Sequence, residues 1–138
     1  MKLIKGMATM IKFRAWNGYR KIMADYVSAI QNGDTQGTPS SVNVIVDGKN
    51  ETWDIKNDDV ELLQFTGLTD VNGNEIYDGD LVRLTDDLED PIYKVTFDEA
   101  KFEISGGGVC YDLNEEFMNC EVIGNVHTNP ELLEEDND

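Results

Sequence analysis

The sequence predicts a mainly β fold, built as a small barrel or sandwich, and two observations support this class. Pairs of asparagine or aspartate with glycine recur along the chain and provide the positive φ angles that tight hairpin turns require. Between them lie short runs of β-branched and aromatic residues that alternate with polar ones. The chain has 138 residues, enough for one domain or two very small ones. The turn pairs are Asn17-Gly18, Asn32-Gly33, Asp47-Gly48, Asn72-Gly73 and Asp78-Gly79.

The first predicted strand covers residues 11–16, where apolar side chains alternate with basic ones. The segment that follows, residues 19–31, has two interpretations. A helix is favoured because six apolar residues recur at steps of three and four residues and because Asn32-Gly33 is typical of a helix end. The alternative is a hairpin that pairs residues 20–23 with residues 13–16. The six apolar residues are Tyr19, Ile22, Met23, Tyr26, Val27 and Ile30.

Two further hairpins are predicted along the chain. The first joins residues 42–46 to residues 52–55 around Asp47-Gly48 and follows a polar loop. The second joins residues 93–97 to residues 101–104 through a three-residue turn, because apolar residues alternate with polar ones on both sides of it. We expect the strand residues Trp16, Trp53, Tyr93 and Phe97 to lie in the core.

The C-terminal part closes with a strand and a short helix. The glycine run at residues 105–108 predicts a flexible loop between strands, and residues 121–126 predict the last strand. Asn129 followed by Pro130 is typical of a helix N-cap followed by proline at the first helical position. This helix can only be short, because the acidic tail at residues 134–138 follows it.

These elements group into two regions. Residues 1–59 form an N-terminal strand and hairpin region. Residues 60–138 contain enough strands for one small β-barrel, followed by the short helix and the acidic tail.

The composition is strongly acidic, with 11 basic and 28 acidic residues and a formal net charge of −17. Such a charge argues against direct binding to the phosphate backbone of nucleic acids and against attachment to an anionic membrane. The first 21 residues contain six basic side chains and no acidic one. A strand that packs across the acidic body explains them better than a basic arm for nucleic acid does.

The sequence predicts a cytoplasmic protein. No apolar run approaches the length that spans a bilayer, and residues 1–10 lack the apolar core of a signal peptide. The two cysteines, Cys110 and Cys120, are therefore expected as small core residues in a reducing compartment rather than as a disulfide.

Three stretches of the chain together resemble the YopX family of phage and prophage proteins. They are residues 11–16 at the start, residues 63–82 in the middle, and residues 122–133 near the end. Residues 24–58 carry no pattern that we associate with the family and form a variable insert. The structural motif of the middle stretch comprises Gly67, Asn72, Gly73, Tyr77, Asp78, Gly79 and Asp80.

The resemblance implies a mostly β fold whose C-terminal part is similar to an SH3-like barrel, encoded by phages and prophages of Gram-positive bacteria. It implies no catalytic residues, because we know of no established activity for the family. The residues themselves agree with a structural role for the motif, because Asp78-Gly79-Asp80 before an apolar strand suits a tight turn.

Four groups of residues could carry chemistry, and in each the structural interpretation is favoured. Asp70, Asn72 and Asn74 match the first ligands of a calcium loop, but Glu75 and Leu81 stand where glycine and glutamate are needed. The other three groups are also better explained by structure: carboxylates in turns usually accept backbone N–H groups, an acidic cluster is usually a solvated loop, and the cysteine and histidine spacings match no zinc motif. They are the pair Asp78 and Asp80, the acidic cluster Asp86, Asp87, Glu89 and Asp90, and the potential zinc ligands Cys110, Cys120 and His127. We therefore predict no catalytic, cofactor or metal site.

Three classes of function follow. The favoured one is a non-enzymatic binding or assembly module that self-associates as a homo-oligomer or binds a host or phage protein. The second is an acidic decoy that mimics the phosphates of DNA and occupies a host DNA-binding protein. The third, a metal-dependent enzyme using the carboxylate clusters, is the least supported.

Overall fold

The computed structural model describes residues 12–84 and 89–136, and the chain divides into two compact units, Met1–Gln64 and Phe65–Asp138. Within the described residues both units are built mainly of β-strands, which confirms the mainly β class. No helix in these ranges is long and apolar enough to cross a membrane. Strand β6 (Val60–Thr69) runs through the division, so each unit contains part of it.

The first unit contains β1 (Phe13–Asn17), β2 (Ile22–Met23), β3 (Tyr26–Asn32), β4 (Pro39–Val46), β5 (Lys49–Asp54) and the first half of β6. All its pairings are antiparallel. β1 pairs with β2 on one side and with β6 on the other. β4 pairs with β3 and β5, so these two strands are the edges of their sheet.

The core of the first unit follows from strict alternation along β4. Val42 and Val44 are fully buried, whereas Ser41 and Asn43 point to the other face. Trp53 lies opposite Val42 on β5 and is 2% exposed, and Trp16 on β1 is also buried, so both tryptophans are core residues as predicted. The hairpin around Asp47-Gly48 is confirmed, and both turn residues have positive φ angles.

The helix favoured for residues 19–31 is wrong. The alternative hairpin is right only in part: β1 and β2 pair over two residues, Trp16 with Met23 and Asn17 with Ile22. Most of the remaining segment is β3, which pairs with β4. A β-bulge explains the misleading periodicity. Val27 pairs with Val44 and Ala29 with Asn43, which leaves Ser28 as an extra residue. The bulge places Val27 and Ile30, three residues apart, on the same face of a strand, which is also a helical spacing.

The second unit contains the end of β6, then β7 (Glu75–Tyr77), β8 (Asp80–Arg83), β9 (Tyr93–Asp98), β10 (Lys101–Gly106), β11 (Val109–Asp112) and β12 (Glu121–Asn125). Five strands form an antiparallel sheet in the order β11-β10-β9-β8-β12. Two short helices, α1 (Leu113–Glu116) and α2 (Glu131–Asp136), and one 3₁₀ turn complete the described part. α2 confirms the short helix predicted after Pro130.

The core cluster of the second unit is separate from that of the first. Tyr93 and Val95 of β9 and Ile104 of β10 are buried in it, as the alternation predicts. Phe97 is not buried: it is 52% exposed near the end of β9, and its ring packs 4.8 Å from that of Phe102 at the margin of the cluster. Residues 105–108 are not a flexible loop, because the first two continue β10 and the two glycines that follow make a tight turn into β11.

Candidate binding surface

Asp70 holds the turn that begins the motif. One carboxylate oxygen accepts hydrogen bonds from the backbone N–H groups of Asn72 (2.9 Å) and Asn74 (2.8 Å). The other accepts from the N–H of Val122, at the start of β12 (2.8 Å). Gly73 provides the positive φ angle at the tip. The calcium-loop residues therefore form an Asx-type turn whose carboxylate is occupied by the protein's own backbone.

The pKa of Asp70 reflects these contacts. Burial by itself would raise it, because Asp70 is only 6% exposed and a carboxylate loses hydration there. The three backbone donors, from Val122, Asn74 and Asn72, outweigh that effect and hold the pKa below its ordinary value. The group is therefore a charged structural anchor at neutral pH.

Asp80 plays a similar part at the second turn. It is fully buried, and its carboxylate accepts from the N–H of Tyr77 (2.8 Å) and from the side-chain amide of Asn125 (3.1 Å). Gly79, with a φ of 87°, donates its N–H to Val95 (2.9 Å). Asp78 is half-buried in the same turn. The carboxylates of Asp78 and Asp80 thus belong to a turn rather than to an open acid–base pair.

Gly67 lies in β6, where the register with β7 shifts between Phe65 and Thr69. Its φ is 87°, and the hydroxyl of Thr66 bridges this irregularity by donating to the carbonyl of Ile76 (2.8 Å). The ring of Tyr77 packs 5.4 Å from that of Phe65. The motif found in the sequence therefore builds turns and a bulge within the second unit.

The potential zinc ligands do not converge. Cys120 is buried and Cys110 is exposed on β11, and both are free thiols. Among residues 12–84 and 89–136 there is no group of three or more His, Cys, Asp or Glu that could hold a metal ion. Asp86 and Asp87 lie outside the described residues. The prediction of a core position is right for Cys120 and wrong for Cys110.

Neither thiol is arranged as a nucleophile. Burial, with the charges of Glu116 and Asp70, raises the pKa of Cys120 to about 11. A hydrogen bond from Cys110 to the carboxylate of Glu103 raises the pKa of that thiol. A raised pKa keeps the sulfur protonated at neutral pH, where only a thiolate reacts rapidly.

The first unit presents an uncharged surface, which we call the neutral hairpin: residues 26–46, comprising β3, β4 and their connection. Asp34 is the only charged residue in this range, although 28% of the whole chain is charged. Its outer face is a network of amides and hydroxyls. The amide oxygen of Asn43 accepts from Thr52 (3.0 Å) and Gln31 (3.4 Å), and Ser41 donates to Gln31 (3.1 Å).

Charged residues border this surface on β5. Glu51 accepts from the indole N–H of Trp53 (2.9 Å) and forms an ion pair with Arg20 (2.6 Å). The hydrogen bonds from Trp53 and Arg20 lower the pKa of Glu51. This pair anchors the side chain of the buried tryptophan and lies outside the neutral hairpin.

The sequence contains a signal for the neutral hairpin that motif searching misses. No motif marks it, because what distinguishes residues 26–46 is the absence of charge in an acidic chain. The segment also lies inside the variable insert, residues 24–58, which the family pattern does not cover. The signal is visible only when local charge is compared with the average of the chain.

The family model described as YopX protein matches residues 12–134 of the chain. The solved structures that are similar to it include the following two. The crystal structure of protein EF1440 from Enterococcus faecalis has 26% identity and a TM-score of 0.65, covering 89% of this chain and 97% of that one. Protein yopX from Bacillus subtilis has 22% identity and a TM-score of 0.61, with 88% and 97% covered, and this likeness concerns the fold alone. No curated protein matches the chain.

Proposed function

We propose that this chain, which belongs to the YopX family, is a non-enzymatic binding or assembly module that works through the neutral hairpin. The observation that carries the proposal is an uncharged strand pair, with an exposed edge strand β3, in a chain of net charge −17. Surfaces that must stay solvated are normally charged, and uncharged strands at a sheet edge favour association. The buried carboxylates support the proposal further, because Asp70 and Asp80 serve the turns.

The proposal includes a setting and a finer fold. We place the protein in the cytoplasm of a Gram-positive host, encoded by a phage or prophage, without contact to a membrane or directly to nucleic acid. The net charge of −17 supports the last two points. We also assign the C-terminal part to an SH3-like barrel, which the short antiparallel strands of the second unit support.

Capture from host lysate with three versions of the protein tests the binding role. Asn43→Asp adds one charge to the centre of the neutral hairpin and keeps both acceptor contacts of that side chain. Asn114→Asp makes the same change on exposed α1 and is the matched control. We expect a partner, or more of the same protein, to be retained by the wild type and the control and severalfold less by N43D. Equal retention on all three would contradict the role of this surface.

The acidic decoy is a second candidate, favoured by the net charge alone. A phosphate mimic binds the basic groove of a DNA-binding protein, so its complex dissociates steeply as salt rises and is displaced by duplex DNA. If a DNA-binding protein is captured, is eluted by salt and by DNA, and is retained equally by N43D, the result would support the decoy over the binding or assembly module.

The third class, a metal-dependent enzyme, is tested by thermal unfolding with calcium, magnesium, manganese and zinc. A metal that binds the native state raises Tm by mass action. We expect no shift with any of the four ions. A reproducible stabilisation would contradict the non-enzymatic assignment and direct attention to the carboxylates near Asp90.

A further inference from the structure

We infer that two copies of this chain pair edge to edge through β3, antiparallel and around a two-fold axis near Ala29. The inference rests on the proposed function and names its partner: a second copy of the same chain. The two strands are antiparallel because a two-fold axis at the edge of β3 reverses the direction of the strand in the second copy. The backbone N–H donors of one β3 then face backbone carbonyl acceptors of the other.

β3 differs from the other sheet edges. Within the described residues it pairs only with β4, and six of its seven residues are exposed. Every other edge strand longer than two residues contains a charged side chain, which is the usual protection against unwanted pairing. Those residues include Glu51 on β5, Glu75 on β7, Asp112 on β11 and Glu121 on β12.

The bulge at Ser28 twists the edge without blocking it. Between this bulge and a second register shift after Gln31, residues 29–31 pair with β4 in regular register. The hydroxyl of Ser28 donates to the carbonyl of Asn43 (3.1 Å), so the extra residue is held against its own sheet. Residues 29–31 therefore present an ordered edge to an incoming strand.

The charge of the chain favours this site for a like-charged partner. Two copies of net charge −17 repel each other over most of their surfaces. Contact through the neutral hairpin brings the fewest charges together, because Asp34 is its one charged residue. A basic partner would instead be attracted to the acidic surfaces outside the hairpin.

A groove beside β3 can accept side chains of the added strand. It has a volume of about 290 Å³ and is lined by Lys12, Phe13, Val27, Ser28, Ala29 and Ile30, with no acidic residue among them. Val27 and Ile30 share the inner face of β3, where their partners Val44 and Val42 are buried. In an added strand the same two residues project toward this side, which is the usual arrangement when a strand extends a sheet.

Charge substitutions at Ala29 test the inference in the full-length protein. Ala29 faces outward with Asn43 as its cross-strand partner, so a longer side chain there extends into solvent in the monomer. In the dimer, Ala29→Glu places two carboxylates near the axis, and Ala29→Lys places two ammonium groups there. Asn50→Glu puts the same charge on exposed β5, the opposite edge of the sheet, and is the control.

Sedimentation velocity and light scattering over a concentration series measure the outcome, with circular dichroism to confirm folding. We expect a reversible wild-type dimer whose Kd increases at least about tenfold in A29E and in A29K. Mixing these two variants restores a dimer, because opposite charges then meet at the axis. N50E dimerises like the wild type.

Salt separates this contact from one driven by opposite charges. We expect rising salt to tighten the wild-type dimer, since it screens repulsion between acidic bodies. A strict monomer at every concentration overturns the inference. So does a dimer that A29E and A29K leave unchanged, although that outcome preserves the proposed assembly function. Retention of a different protein that N43D weakens, with no dimer, likewise overturns the inference alone.

Discussion

At the scale of single residues, Asp70 connects two segments of the second unit that are distant in the sequence. Its carboxylate joins a turn of the motif to the start of β12, which lies 52 residues further along the chain. The sequence predicts the turn from Asp70 to Asn74, because its residue types are typical of turns. It does not predict the contact with Val122, because every residue type except proline can provide a backbone N–H donor.

Asp70→Asn is expected to lower the free energy of unfolding by about 1–3 kcal/mol, because one of the two oxygens becomes an amide donor that faces an N–H group. Urea denaturation measures the change. Asn72→Ala is the matched control within the same turn, since only the backbone N–H of Asn72 is used. We expect its effect to remain within about 0.5 kcal/mol. An equal loss in both variants would contradict the anchoring role.

The same variant predicts a pH dependence. Because folding lowers the pKa of Asp70, its stabilising contribution is fully present above the unfolded pKa of about 4 and is lost as pH falls through the lower native value. The difference in Tm between wild type and D70N should therefore be constant from pH 5 to 7 and shrink in more acidic solution. A difference that grows on acidification would contradict this assignment.

The two thiols are expected to differ in reactivity. Cys110 is accessible and Cys120 is not, so one thiol per chain should be alkylated in the native protein and two after unfolding. Glu103→Gln replaces the carboxylate whose hydrogen bond and charge raise the pKa of Cys110, so the alkylation rate at pH 7.5 should increase severalfold. Cys110→Ser, which should abolish native labelling, is the control. An unchanged rate in E103Q would contradict the contact.

At the scale of elements, the hairpins were predictable where the turn residues match the turn geometry. Asp47-Gly48 is such a case: φ is 51° and 77°. β3 was not, because a bulge at Ser28 converts a period of two into a spacing of three that a helix also produces. Whether a residue is bulged depends on register with the neighbouring strand, which local sequence does not specify.

We expect that substitutions in the turn between β9 and β10 can stabilise the protein. Glu99 and Ala100 adopt φ angles of 50° and 65°, which cost L-residues with a β-carbon about 1 kcal/mol each. Replacing them by Asn-Gly should raise the free energy of unfolding by about 0.5–1.5 kcal/mol in urea denaturation. Gly48→Ala, the opposite change at the comparable turn, should lower it. Destabilisation by the Asn-Gly replacement would mean that Glu99 makes contacts that the turn geometry does not explain.

At the scale of the whole molecule, the sequence predicted the mainly β class and the acidic character, and it contains the uncharged stretch at residues 26–46. The mainly β fold followed from turn pairs and alternation, and the family from three stretches of sequence. That β3 is a sheet edge is visible only in the structure, since strand order is set by contacts between distant segments. The candidate binding surface therefore needed the structure, whereas the turns of the motif did not.

The proposed assembly of the protein requires that β3 is the surface through which it associates. Hydrogen exchange by mass spectrometry, compared between dilute and concentrated protein, tests this directly because amides that gain a partner exchange more slowly. We expect protection to increase with concentration in residues 26–32 and to remain constant in β5 and in the second unit. Protection that increases elsewhere, or that is independent of concentration in residues 26–32, would contradict the account.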